Sequence, residues 1–211
     1  MKYFTYPIVI YLITFGYLNM AMADHFKNDL CHYQKIDLPY SSRDLEKYYY
    51  WDDEIGALHL LSNEKIPFRF QFKEYSYTPK LQRFTYKNSF YFPAVYFNYK
   101  NIVYKGIVYM YYGDNDNPVF IFQLNSYDAK GHFIDAIVLD ARLSAEGEAL
   151  WWSDFKIQAN GKILVNQIEQ TLIDNDPKFK NGDIHFLKKS VYQMTTSGEF
   201  KKVKEKIINA I

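Results

Sequence analysis

Pro118-Val119-Phe120-Ile121-Phe122-Gln123-Leu124, running on through Asn125-Ser126-Tyr127 to Asp128-Ala129-Lys130-Gly131, decides the fold class. Phe120, Phe122 and Leu124 fall on one side of an extended chain, and Val119, Ile121 and Gln123 fall on the other. A period of two is the signature of a strand. Asp128 and Gly131 are turn residues, and His132 to Asp140 is again extended, so strand, Gly-containing turn and strand make a hairpin.

The same pattern extends outward. Upstream, Ile102 to Tyr112 sends Val108, Met110 and Tyr112 one way and Lys105, Ile107, Tyr109 and Tyr111 the other, and Phe68, Phe70 and Phe72 alternate with Arg69, Gln71 and Lys73. Downstream, Leu150 to Ile157 ends at Asn160-Gly161, the strongest short hairpin signal in the chain. Ile163 to Ile168, Ile184 to Leu187 and Val191 to Met194 follow, although Leu164, Ile168 and Leu172 also suit a helix. Phe200, Val203, Ile207 and Ala210 have helical spacing among lysines and predict a short amphipathic C-terminal helix. Near the start, Ser42 suits the cap of a short helix carrying Leu45, Tyr48 and Tyr49, whereas Tyr48 to Trp51 followed by Ala57 to Leu61 suits a hairpin. Short turns between successive strands predict one mainly β domain over residues 24–211, an antiparallel meander of roughly eight to ten strands forming a curled sheet, barrel or sandwich.

Tyr127-Asp128-Ala129-Lys130-Gly131 resembles the core of the YD repeat of large bacterial repeat shells. It occurs once, whereas such shells stack many copies, and an ordinary hairpin turn accounts for it.

Between Lys2 and Asp24 there is no charge, and Pro7 to Phe15 is an apolar run leading to Ala21-Met22-Ala23. A basic start, an apolar run and a small-x-small site predict a secretory signal peptide, residues 1–23, cut after Ala23. The same span is just long enough for a retained anchor, but Asn19 and the Pro and Gly interruptions favour cleavage. Export to the periplasm or medium is therefore expected, with a membrane involved only if the segment stays attached. Cys31 is the single cysteine, so no internal disulfide forms; an inert buried thiol is preferred over an intermolecular bridge.

The 211 residues carry 25 Lys+Arg against 24 Asp+Glu, a balance that argues against nucleic acid as a partner. Aromatic residues make up 19% of the chain, with 21 Tyr, and that excess directs attention to binding through aromatic surface. No G-x-S-x-G, H-E-x-x-H, C-x-x-C, P-loop or dinucleotide glycine run is present. His25, His32, His59, His132 and His185 show no metal-ligand spacing. The acidic stretches at Asp114 to Asn117 and at Asp174 to Asp176 read as turns rather than calcium loops, since Val119 and Asn125 stand where an EF-hand needs Gly and Glu. No cofactor, metal or catalytic residue is assigned.

Trp151-Trp152 is the most specific local feature. On a strand, Trp151 shares a face with Phe155 and Ile157 and reads as core, while Trp152 shares one with Asp154 and Lys156 and reads as a binding surface. Lys105, Tyr109 and Tyr111 form a second candidate face. The chain is thus expected to bind rather than catalyse, a protein partner first, in the manner of an inhibitor or toxin-immunity protein. A glycan or small molecule comes second, and a secreted hydrolase using dispersed carboxylates such as Glu146, Glu148 and Asp154 third.

Overall fold

The computed structural model describes residues 26–45, 49–52, 57–60, 68–69, 90–112, 118–145, 148–172 and 180–208. A short helix α1 (residues 26–30) leads into β1 (Gln34–Lys35), β2 (Tyr40–Ser41) and α2 (Ser42–Leu45). There follow β3 (Tyr49–Asp52), β4 (Ala57–Leu60), β5 (Phe68–Arg69), β6 (Phe90–Tyr99), β7 (Ile102–Tyr112) and β8 (Pro118–Tyr127). The chain continues as β9 (Phe133–Ala145), β10 (Ala149–Ile157), β11 (Lys162–Thr171), β12 (Ile184–Met194) and β13 (Phe200–Ile207). The fold is mainly β, with β6 to β13 pairing each to the next as an antiparallel meander. β1 runs parallel to β6, which makes the sheet mixed. The sheet is open, which removes the closed barrel from the expected alternatives.

The region after Tyr40 holds a short helix and then the hairpin, but α2 stops at Leu45 and Tyr49 lies on β3, so Tyr49 does not share a helical face with Leu45. The Asp44 carboxylate accepts the Ser41 N–H at 2.9 Å and the Ser41 hydroxyl at 2.8 Å, so Ser41 rather than Ser42 caps α2. β3 and β4 then form the hairpin, pairing Tyr49 with Leu60. The turns after β8 and β10 are made by their side chains: Asp128 accepts the N–H groups of Lys130 and His132, and Asn160 accepts that of Lys162.

β9 belongs to two halves of the sheet. Phe133 to Arg142 lie along β8, whereas Leu143 to Ala145 lie along β10. The sheet folds over at this strand and brings the Phe122 ring onto Phe155, centroids 5.1 Å apart and nearly parallel. Around that pair lies a core of Val95, Phe97, Tyr104, Ile157, Ile163, Val165 and Met194. Each such side chain stabilises the fold by about 1.5–3 kcal/mol through burial. Gly106 is required for this packing, since a Cβ there would stand 2.7 Å from the Phe122 ring. A second cluster, Tyr33, Tyr91, Ile107, Tyr109, Val119 and Ile121, covers the opposite face of β6 to β8. Two covered faces explain why β7 and β8 are apolar on both sides.

The fold-over is fastened where the hairpin tips meet. The Tyr99 hydroxyl donates to the Asn160 carbonyl at 2.8 Å, the Phe200 N–H donates to Asp135 at 2.8 Å, and the Tyr104 ring meets Phe200 edge-on at 5.8 Å.

Leu164 and Ile168 lie on strand β11, as the strand reading has it and not the helical alternative. Two expectations need correction. Phe200 to Ile207 is strand β13, not a helix. Cys31 is exposed, with its thiol 3.7 Å from the Lys27 carbonyl, so it is not a buried thiol. Residues 1–23, with Ala21 and Ala23, lie outside the described residues, as do Phe70, Phe72, Glu146 and both acidic stretches. No helix among the described residues is long and apolar enough to cross a membrane.

Candidate functional site

The two faces singled out in the sequence have different fates. Lys105 and Tyr109 do not form a surface: they are 2% and 3% exposed. Lys105 Nζ bonds Asp29 at 2.7 Å and lies over the rings of Tyr127, Tyr33 and Phe26 at 4.3, 5.4 and 5.5 Å. An ammonium removed from water survives only when paired, and three ring faces with one carboxylate supply that pairing. The Tyr109 hydroxyl donates to Gln123, Gln123 donates to Asn125, and Asn125 donates to Tyr127, so a buried polar chain continues from the cage. This arrangement docks residues 26–33 onto the sheet. Tyr111 lies on the same strand, opposite Val119.

Trp152 and Asp154 lie on the outer face of β10, where Asp154 and Lys156 are exposed while Ser153, Phe155 and Ile157 are buried. The alternation holds for these residues, but Trp151 and Trp152 are both half-buried, so the contrast expected between them is reduced. Strand register shows why. Trp152 stands opposite Ile168, which stands opposite Phe186. Leu150 stands opposite Gln170, which stands opposite Ile184. Directly opposed residues share a face, so the two rows form a patch of five apolar side chains and one glutamine. Ile184 is 57% and Phe186 40% exposed, whereas Ile168, held between two aromatic neighbours, is buried.

Further along the same face the character changes to basic. Lys156, Leu164, Val191 and Lys204 form one row, and Asp154, Asn166, Lys189 and Lys206 the next. Lys189 Nζ sits 4.6 Å from the centre of the Phe186 ring and joins the two zones. Asp154 is engaged by the Ser42 hydroxyl at 3.2 Å. On the other side of β13, Lys202 and Glu205 pair at 2.8 Å, and their hydrogen bond holds the ammonium above and the carboxyl below their ordinary values.

The sequence pattern singles out Trp152 but not Leu150, Ile184 and Phe186, which share its face. The alternation of Ile184 and Phe186 with His185 and Leu187 was the available signal, but only the register between strands reveals the patch. Among the described residues no three His, Cys, Asp or Glu side chains gather to hold a metal. No family model matches the chain, and no curated protein and no solved structure matches it with significance.

Proposed function

We propose that the chain is a binding protein whose partner is another protein with an acidic surface, docked on the outer face of β10 to β13. One observation carries this reading: a solvent-facing sheet surface that presents Trp152, Phe186 and Ile184 together and is continued by lysines. Aromatic anchors in an apolar centre with a charged surround are what a specific protein interface requires. With the signal segment read at residues 1–23, the protein would act after export, as a periplasmic or secreted inhibitor or immunity protein does.

Cross-linking of wild-type chain and a Phe186→Asp variant, both carried as the full chain in cells, tests the reading. A specific cross-linked protein that is lost from the variant, with the melting temperature unchanged, supports it. Identical cross-links from both forms, or loss only of a second copy of this chain, would overturn it. Retention on a glycan array that Trp152→Ala abolishes would move the assignment to a glycan.

A further inference from the structure

We infer that β13 is itself a docking edge that takes up an acidic, extended segment of the partner as an added strand. This rests on the protein-binding reading above and specifies its mode. β13 ends the strand order, and among the described residues β12 is the only strand paired with it. Ile208 N–H donates to the Leu187 carbonyl on β12 at 2.9 Å. Backbone groups alternate in direction along a strand, so the N–H groups of Ile207 and Glu205 point away from β12. The strand is 8 residues long, enough for several ladder bonds.

Lysines commonly protect such edges from self-association. Here Phe200-Lys201-Lys202-Val203-Lys204-Glu205-Lys206-Ile207 carries four lysines against one glutamate. Lys201, Lys204 and Lys206 have no ion-pair partner among the described residues. Two copies meeting edge to edge would oppose lysine rows, so the charge excludes self-pairing and favours an acidic strand. Protection alone needs only charge, yet Val203 and Ile207 are 62% and 66% exposed. Exposed apolar side chains between the lysines are what an incoming strand would cover while its main chain supplied the bonds.

The probe is an eight-residue peptide of alternating Glu and Val, with a Lys–Val peptide as control, titrated by fluorescence anisotropy against the full chain at low salt. The Glu–Val peptide should bind at least tenfold more tightly than the control. Amide exchange at Glu205 and Ile207 should slow at least tenfold in its presence. Lys204→Glu with Lys206→Glu should weaken binding at least tenfold, and Ile207→Pro should remove the edge donor and abolish it. Should the proline variant not fold, the exchange measurement on the wild type decides. No binding of the Glu–Val peptide below about 1 mM, or binding without amide protection, overturns the inference. Phe186→Asp should leave peptide binding intact, so failure of the face reading and failure of the edge reading are told apart.

Discussion

The Asp140 carboxylate accepts the Ser153 N–H at 2.9 Å. β9 pairs with β10 only at Leu143 to Ala145, and β2 reaches β10 only at Lys156 and Ile157. Ser153 lies in the interval between them, where among the described residues no strand pairs with β10 on the side away from β11. A side chain therefore takes the place of a missing ladder bond, and Arg142 Nη2 at 3.3 Å balances its charge in part.

The pH dependence of stability follows from this substitution. Burial pushes the Asp140 pKa up to about 6, offset in part by Arg142 and the Ser153 N–H. A carboxyl whose folded pKa exceeds its unfolded value binds its proton more tightly when folded. Its contribution is fully present below about pH 4 and is lost as the pH rises through about 6. Asp140→Asn keeps an acceptor for Ser153 and cannot ionise. Relative to the wild type it should gain about 2–3 kcal/mol at pH 7.5 and nothing at pH 3.5. Urea melts at the two values test this, and a difference independent of pH would refute it.

Lys105→Met should cost about 3 kcal/mol, because it leaves Asp29 unpaired beneath the docked N-terminal segment. Adding Asp29→Asn should return part of that loss. Denaturant melts of the two single variants and the double variant measure the coupling; strict additivity would mean the ion pair does not hold the segment.

Gly161→Ala should destabilise by about 1–3 kcal/mol or more. Gly161 has φ of +79°, which disfavours a side chain, and an added Cβ would stand 2.5 Å from the Tyr99 ring. Tyr99→Phe should cost only about 1 kcal/mol for the lost bond to Asn160. Thermal melts that reversed this order would show that the tips are not fastened as described.

The two tryptophans should behave alike in stability. Both are half-buried, so Trp151→Ala and Trp152→Ala should each cost about 1–3 kcal/mol, less than a full core truncation. Only Trp152→Ala should weaken partner binding, by about 2 kcal/mol or more. Paired melts and binding titrations separate the effects, and equal loss of binding from both would place the interface elsewhere.

The strands from Pro118 to Ile157 were legible because period-two alternation and Asn-Gly or Asp-x-x-Gly turns are local signals. β13 was not. Its pairing with β12 shifts register between Val191 and Tyr192, leaving Val203 as an extra residue, and the bulge turns even spacing into the three-and-four spacing of a helix. In β11 the ambiguity arose because Leu164 and Ile168 are four apart, a spacing that satisfies a strand face and a helix face equally. Lys105 misled for another reason. Its carboxylate partner lies 76 residues away, and nothing local announces that a lysine will be enclosed. The apolar character of both faces of β7 was the one hint.

The docking of residues 26–45 also orders events in time. Synthesis delivers this segment before its partners, since β1 needs Tyr96, α1 needs Lys105, and β2 needs Lys156 and Ile157. The hairpins from β6 to β11 close over short separations and can form as they emerge. The stretch must wait until residues as far as Ile157 have been made before its last partner is present. In pulse-labelled hydrogen exchange the Ile36 amide, bonded to Tyr96 O at 2.9 Å, should gain protection after the amides of β7 and β8.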